Sequence, residues 1–450
     1  MNHYDRGMSA FDGLFVPAEL RAAVSPRAWL EAMLDAERAL SNAGAAAGIV
    51  PEHVATEIAG ACDPERFDFE QLVDEGRAVG NVAEPLVRAL AGSVGDEAAR
   101  YVHRGATSQD IVDTASMLVS RRALALVLAE ADDVAAATAA LAHDHRDTLM
   151  VARTILQHAV PTTFGVKAAG WLTAVVETRV RLEQVSRERL AAQLGGAAGT
   201  LAGFGNKGIA LVDLYARELD LQAPTIPWHT NRTRVAELGA ALAITAGVAS
   251  KIALDLVLLA QTEVAEVAEG GGTGRSSTMP QKRNPVGSTL ARANARLAAA
   301  HATVLLGSLE QEHERAAGAW QAEWDALAGA LAHTGGALHA LAGALESLEV
   351  DAARMRQNLD LTGGLVLAER VAFLLLDRLG RAEAQEIVRE AAASETSFRG
   401  ALLRDPRAGL ESAELDAALD PSTYLGSSAE LVDRALAFYE SSRRPNEVDA

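Results

Sequence analysis

The glycines Gly270-Gly271-Gly272-Thr273-Gly274 run directly into Arg275-Ser276-Ser277-Thr278-Met279-Pro280-Gln281-Lys282-Arg283-Asn284-Pro285, the segment richest in groups able to do chemistry. The glycines predict a flexible loop, and Asn284 before Pro285 predicts a helix N-cap with proline at the first helical position. Such a helix start favours anions, because its leading N–H groups lack partners and its dipole end is positive. From Gly270 to Leu309 the chain carries Arg275, Lys282, Arg283, Arg292 and Arg296 and no Asp or Glu, in a chain of net charge −19. That is a candidate anion site. A serine near a lysine, as Ser276 is to Lys282, can be held as a partly ionised base. The plainer alternative is a glycine-rich connection whose cations line a solvated face.

Further polar blocks stand elsewhere. His103-Arg104-Gly105-Ala106-Thr107-Ser108-Gln109-Asp110 reads as a hydroxyl-capped helix start, with Thr107 or Ser108 at the N-cap and Asp110 in the first turn. Taken alone, those hydroxyls merely cap. Arg153-Thr154-Ile155-Leu156-Gln157-His158 precedes Pro161, and His158, one helical turn beyond Ile155, is as readily a hydrogen-bonded structural group as a catalytic one. Arg315 lies between Glu314 and a run ending in Trp320 and Trp324. It can neutralise a carboxylate or pair with Glu312 or Glu314, while the tryptophans suit packing.

The run Ser276 to Pro285 resembles the signature loop of the fumarase/aspartase superfamily, although Arg275 stands where glycine is usual. The resemblance implies that Ser276 is the base that removes a proton alpha to a carboxylate, and that Lys282 and Asn284 hold the resulting dianion. The block from His103 is similar to the first signature region, which implies that Thr107 and Ser108 bind a substrate carboxylate, with His103, Arg104 and Asn81 also facing substrate. The block from Arg153 resembles the second region and assigns Thr154 and Gln157 to substrate binding. There a histidine usually follows the threonine and protonates the leaving group; here Ile155 occupies that place. Amine or hydroxide leaving groups benefit from such an acid, whereas a carboxylate, with a pKa of about 4, departs as an anion. Pro227-Trp228-His229-Thr230-Asn231-Arg232 and the segment Gln311 to Trp324 resemble a cycloisomerase branch, in which a tethered carboxylate adds to a conjugated double bond. The resemblance implies a small tricarboxylate substrate neutralised by Arg315, Lys282, Asn284, Thr107 and Ser108, with no metal and no organic cofactor.

Long elements must position these groups. The composition, 49% hydrophobic but only 4% aromatic and dominated by Ala, Leu and Val, predicts an all-α fold. Short, proline-punctuated segments predict an N-terminal helical domain over 1–110. Five long Ala/Leu-rich segments, about 111–150, 162–194, 231–268, 285–316 and 319–347, predict a central bundle domain over 111–355, and a helical C-terminal domain follows over 356–450. Within 231–268, Val235, Leu238, Leu242, Ile244, Val248, Ile252, Leu256 and Leu259 cover much of the circumference, which predicts packing on more than one side. The resemblance implies a homotetramer whose helices form a central 20-helix bundle, with active sites shared between subunits.

Charge −19 disfavours nucleic acid and anionic membranes as partners. The single Cys62 makes no internal disulfide, and a reducing cytoplasm fits. The N-terminus lacks the apolar core of a signal peptide, and the uncharged run Ala326 to Leu345 is too glycine-broken for a membrane span. Three alternatives remain: a fumarate-releasing lyase of the same superfamily, against which Ile155 speaks; a ferritin-like metal bundle, for which only Glu310 and His313 have the spacing; and a non-catalytic scaffold, in which Ser276 matters only for stability.

Overall fold

The computed structural model describes residues 10–270, 274 and 278–443 and is helical through most of them. Its five longest helices are Ser108–Asp144, Phe164–Arg189, Thr233–Leu259, Val286–Gly307 and Ala319–Glu346. Each falls within or close to one of the expected long segments. The third ends at Leu259, well before 268: a turn over 260–264 follows, Ala265 takes a positive φ of 53°, and the chain then forms strand β3, Val267–Glu269. That strand pairs antiparallel with β4, Leu348–Val350.

The segment around His158 is not helical, and the expectation of His158 one helical turn beyond Ile155 is corrected. β1, Leu149–Thr154, and β2, Gln157–Thr163, form an antiparallel hairpin with an irregularity between Val151 and Arg153. β-Branched Val151, Thr154, Val160, Thr162 and Thr163 favour strand, and Pro161 could not continue a helix.

The chain divides into two compact units, and the points of division lie within the five long helices. The first unit comprises residues up to 132, 177–251 and 289–341. Its core is built by fully buried Leu30, Met33 and Leu34 of the helix Pro26–Ala46, with Ile111, Leu124, Leu238, Leu242, Leu305 and Leu331 from the long helices. Each such side chain contributes about 1.5–3 kcal/mol through removal from water. The second unit comprises 133–176, 252–288 and 342 onward. There Val151 packs with Leu359, Val366 and Leu367 beneath the hairpin. A separate cluster of Val371, Leu375, Ile387, Phe398, Leu402 and Leu415 unites the short C-terminal helices.

Thr233–Leu259 is the one helix among the described residues long and apolar enough to cross a membrane, with a mean hydropathy of 1.9 over its most apolar window. Only 44% of that window is buried within the chain. Val235, Leu238, Leu242 and Ile252 face the core, while Ile244 remains 58% exposed.

Candidate functional site

Thr107 immediately precedes the helix that begins at Ser108, and the cap is made by a carboxylate rather than by hydroxyls. The Thr107 N–H donates to Asp110 Oδ2 at 3.0 Å, the backward half of a capping box. The same fully buried carboxylate accepts from Gly195 N and Gly196 N at 2.9 Å each and meets His229 Nε2 at 2.7 Å. Its charge is thus satisfied by donors from three chain segments. The hydroxyls of Thr107 and Ser108, both half-buried, have no hydrogen-bond partner among the described residues. Hydroxyl donors at the positive end of a long helix suit a carboxylate ligand. Gly105 is obligatory in this turn: its φ is +78°, and an added Cβ would meet the Phe204 ring at 2.6 Å.

Arg315 is brought to this helix start. Its Nη1 donates to Gln109 Oε1 at 3.0 Å and its Nη2 to Ala197 O at 2.9 Å, while Gln109 Nε2 donates to His229 O at 2.8 Å. The guanidinium is therefore held at this helix start by neutral acceptors, and among the described residues no carboxylate forms an ion pair with it. Glu312, one of the partners considered for it, turns its carboxylate to Ala317 N instead, at 3.0 Å. Glu310 and His313 lie beyond the end of the Val286–Gly307 helix, with His313 at a φ of 44°, so their spacing does not align them on one helical face.

His103, also at positive φ, places Nδ1 2.6 Å from Glu37 Oε1, a carboxylate with no exposed surface. Burial alone would lower the imidazole, but Glu37, with a smaller contribution from Asp110, outweighs it and holds His103 above its ordinary value. Arg104 is exposed and stacks over Tyr101 at 4.8 Å. Asn81 caps the helix Ala83–Gly92, its Oδ1 accepting from Glu84 N at 3.1 Å. It lines a cavity of about 450 Å³ together with Trp29, Phe69, Val112, Trp324 and Ala328.

Beneath the helix start lies a buried ionic cluster. Arg232, 1% exposed, grips Asp113 with Nη1 and Nη2 at 2.8 and 2.9 Å and reaches Glu323 Oε1 with Nε at 3.0 Å. Burial would lower this guanidinium, yet Asp113 and Glu323 raise it, so it stays charged. Trp320 Nε1 donates to Asp113 Oδ1 at 3.0 Å and its ring meets Trp324 edge-on at 4.9 Å, a packing arrangement. Asp113, Asp110 and Glu323 were not singled out as organisers of the site in the sequence. The only signal was their presence beside motif residues.

In the second unit, Thr154 and Gln157 form the last pair of the hairpin. The two-residue tip, Ile155 and Leu156, has φ of 51° and 64°, the geometry of a tight primed turn that normally demands Asn or Gly. Both side chains are open to solvent, Ile155 at 97%. A β-branched residue at positive φ is strained, and strain of this kind clusters at functional sites. His158 pairs across the hairpin with Arg153. Partial burial and the Arg153 charge lower its pKa against the opposing pull of Glu266.

Ser276, with Arg275 and Ser277, lies outside the described residues. Around it, Asn284 donates from both N and Nδ2 to Gly274 O, at 3.1 and 2.9 Å, closing the loop's base. Asn284 is thus no side-chain cap, and the helix is assigned from Val286, just after Pro285. The cap is Glu269: its carboxylate accepts from Gly287 N and Ser288 N at 2.8 and 2.9 Å. The expected anion site at this helix end is therefore filled by the chain's own carboxylate, a correction that no charge count over 270–309 could have revealed. Arg283 is paired with Glu349 at 2.8 Å, and Lys282 is exposed.

Comparison with known proteins shows what the whole chain resembles. A family model described as Lyase matches residues 17–299, and one described as Adenylosuccinate lyase C-terminus matches 364–435. A 3-carboxy-cis,cis-muconate cycloisomerase from Bradyrhizobium diazoefficiens is 45% identical over 93% of this chain and 95% of its own. A nitrosuccinate lyase from Streptomyces davaonensis is 48% identical over 93% of this chain and 92% of its own. The crystal structure of the 3-carboxy-cis,cis-muconate lactonizing enzyme from Pseudomonas putida superposes with a TM-score of 0.91 at 41% identity, covering 97% of this chain and all of that one.

Proposed function

The chain belongs to the lyase family of the fumarase/aspartase superfamily, and on that premise we propose that it is a cycloisomerase interconverting 3-carboxy-cis,cis-muconate and 4-carboxymuconolactone. The observation that carries this reading is Ile155 at the hairpin tip, where the superfamily's acid would stand, flanked by Leu156 and no titratable side chain. A leaving group there departs without a proton, as a carboxylate can.

In the lactonising direction the substrate's own carboxylate oxygen attacks the conjugated double bond, and the electron pair moves onto the carbon alpha to a second carboxylate. Ser276 delivers the proton that neutralises that carbon; in reverse it removes it. Lys282 and Asn284 stabilise the dianion, and Thr107, Ser108 and Arg315 hold the remaining carboxylates. Asn81, His103, Arg104, Thr154 and Gln157 complete substrate binding, and His158, next to Gln157 on the hairpin, serves as an auxiliary polar group. The nucleophile is tethered, so positioning supplies much of the rate.

The same proposal includes the three-part division at residues 110 and 355, a cytoplasmic setting, and a homotetramer with shared sites. Exposed Ile244 on Thr233–Leu259, and Leu297, Val304 and Leu306 on or beside the open face of Val286–Gly307, support association through the long helices.

A second reading has its own support: the nitrosuccinate lyase relative, and the fact that nitrite also leaves as a stable anion. The test is loss of diene ultraviolet absorbance from 3-carboxy-cis,cis-muconate with chelator-treated protein, alongside nitrite release from nitrosuccinate. Absorbance lost with the native chain and not with Ser276→Ala supports cycloisomerisation. Nitrite release without diene loss replaces it with elimination, and activity undiminished in Ser276→Ala removes Ser276 from its role.

A further inference from the structure

Glu266 takes no part in the chemistry proposed above, yet it is held from every direction. Its carboxylate has no exposed surface and meets Arg153 through two parallel bonds, Nη2 to Oε1 at 2.7 Å and Nη1 to Oε2 at 2.9 Å. Asn358 Nδ2 donates to Oε1 at 2.8 Å. The backbone is fixed as well: Glu266 N donates to Leu259 O, and Asp351 N donates to Glu266 O, both at 2.9 Å. A forked guanidinium–carboxylate pair sets orientation as well as distance, which a single hydrogen bond does not.

Both ends of this pair lead to residues of the proposed site. Arg153 directly precedes Thr154 and is the cross-strand partner of His158. Glu266 directly precedes β3, whose last residue, Glu269, caps Gly287 and Ser288 at the helix start beyond the Ser276 loop. Arg283, at the far end of that loop, returns to the same strand by donating to Glu269 O at 3.2 Å. The hairpin and both ends of the loop are therefore bonded to one short strand.

We infer that the Arg153–Glu266 ion pair is a positioning element: it locks the hairpin carrying Thr154, Gln157 and His158 to the strand from which the Ser276 loop springs, so that the two move as one body. The inference rests on the reaction proposed above.

Breaking one side of a buried pair leaves an orphan charge and destabilises the fold, so a single substitution is ambiguous. Replacing both partners by apolar groups, Arg153→Met with Glu266→Leu, removes the fork without an orphan charge. The expected double variant melts close to the native protein, loses about 100-fold in kcat/KM, as misplacement by about 1 Å can cost, and exchanges amide hydrogens faster both in 149–163 and in 278–288. Arg153→Lys, which keeps the charge but not the fork, should show a smaller loss in the same direction. Native activity in the double variant, or faster exchange in only one of the two segments, overturns the inference. Amide exchange is read without substrate, so a native chain inactive on the muconate would refute the proposed reaction and still leave the coupling decided.

Discussion

In a His333→Gln variant, stability should depend less on pH between 7 and 5 than it does in the native chain. His333 lies in the Ala319–Glu346 helix, 5% exposed, with its ring stacked on His301 at 5.7 Å between centroids and 9° between planes. Asn294 Nδ2 donates to Phe15 O at 2.9 Å, so its Oδ1 is the acceptor for His333 Nδ1–H, also at 2.9 Å. A second proton must therefore go to Nε2. Burial opposes that charge, His301 adds to the opposition, and Asp12 relieves it only in part, so the pKa falls from 6.5 to about 4. The unfolded chain takes up a proton near 6.5 and the folded chain does not. The stability contribution is complete above 6.5 and is lost as pH falls towards 4. Those two pKa values correspond to a loss of about 2 kcal/mol between about pH 7 and pH 5. His103 acts in the opposite sense, since its raised pKa gives stability that is present in acid and lost as pH rises through its folded value. The comparison must therefore be with the variant rather than with theory alone. Glutamine keeps a donor for Asn294 and cannot titrate. Urea midpoints at the two pH values, with a proton NMR titration of the histidines, give the answer. A parallel pH dependence in both proteins, or a His333 resonance titrating near neutrality, would refute the reasoning.

Arg232→Met should destabilise by about 3–5 kcal/mol, because Asp113 and Glu323 would remain buried without their cation; the thermal midpoint measures it. Ile155→Asn with Leu156→Gly should relieve about 1–2 kcal/mol of turn strain and raise the midpoint, while turnover of the muconate falls because the apolar tip is gone. Arg315→Gln should raise KM for the tricarboxylate by about 10- to 100-fold, the worth of a charged hydrogen bond, with little change in melting. A change in kcat alone would move Arg315 out of substrate binding.

The five long helices were legible because Ala- and Leu-rich periodicity persists over many turns and little competes with it. The hairpin was not, since a short β-branched run among helices gives a weak signal and its helical reading set His158 one turn beyond Ile155, whereas it lies on the returning strand opposite Arg153. At the site, Thr107, Ser108 and Arg315 were readable as motif residues, but the bonds joining them were not. Arg315 reaches Gln109 across 206 positions and Arg232 reaches Asp113 across 119. Glu269 escaped notice because it precedes the acid-free stretch by one residue and reaches its helix start across 18 positions, over the loop.

Glu269 also bears on how a substrate would arrive. With its carboxylate on the helix start at Val286, that dipole is already neutralised, so attraction for a trianion on this side falls to side-chain cations such as the exposed Lys282. At an ionic strength of about 0.01 M exposed charges act out to about 30 Å, and at that range an approaching trianion meets a chain of net charge −19. Salt therefore acts in two opposed ways on the encounter rate. Modest additions shield the long-range repulsion and speed capture; larger ones weaken the local cations and slow it. The rate should pass through a maximum with ionic strength, the signature of a small cationic target in an anionic surface.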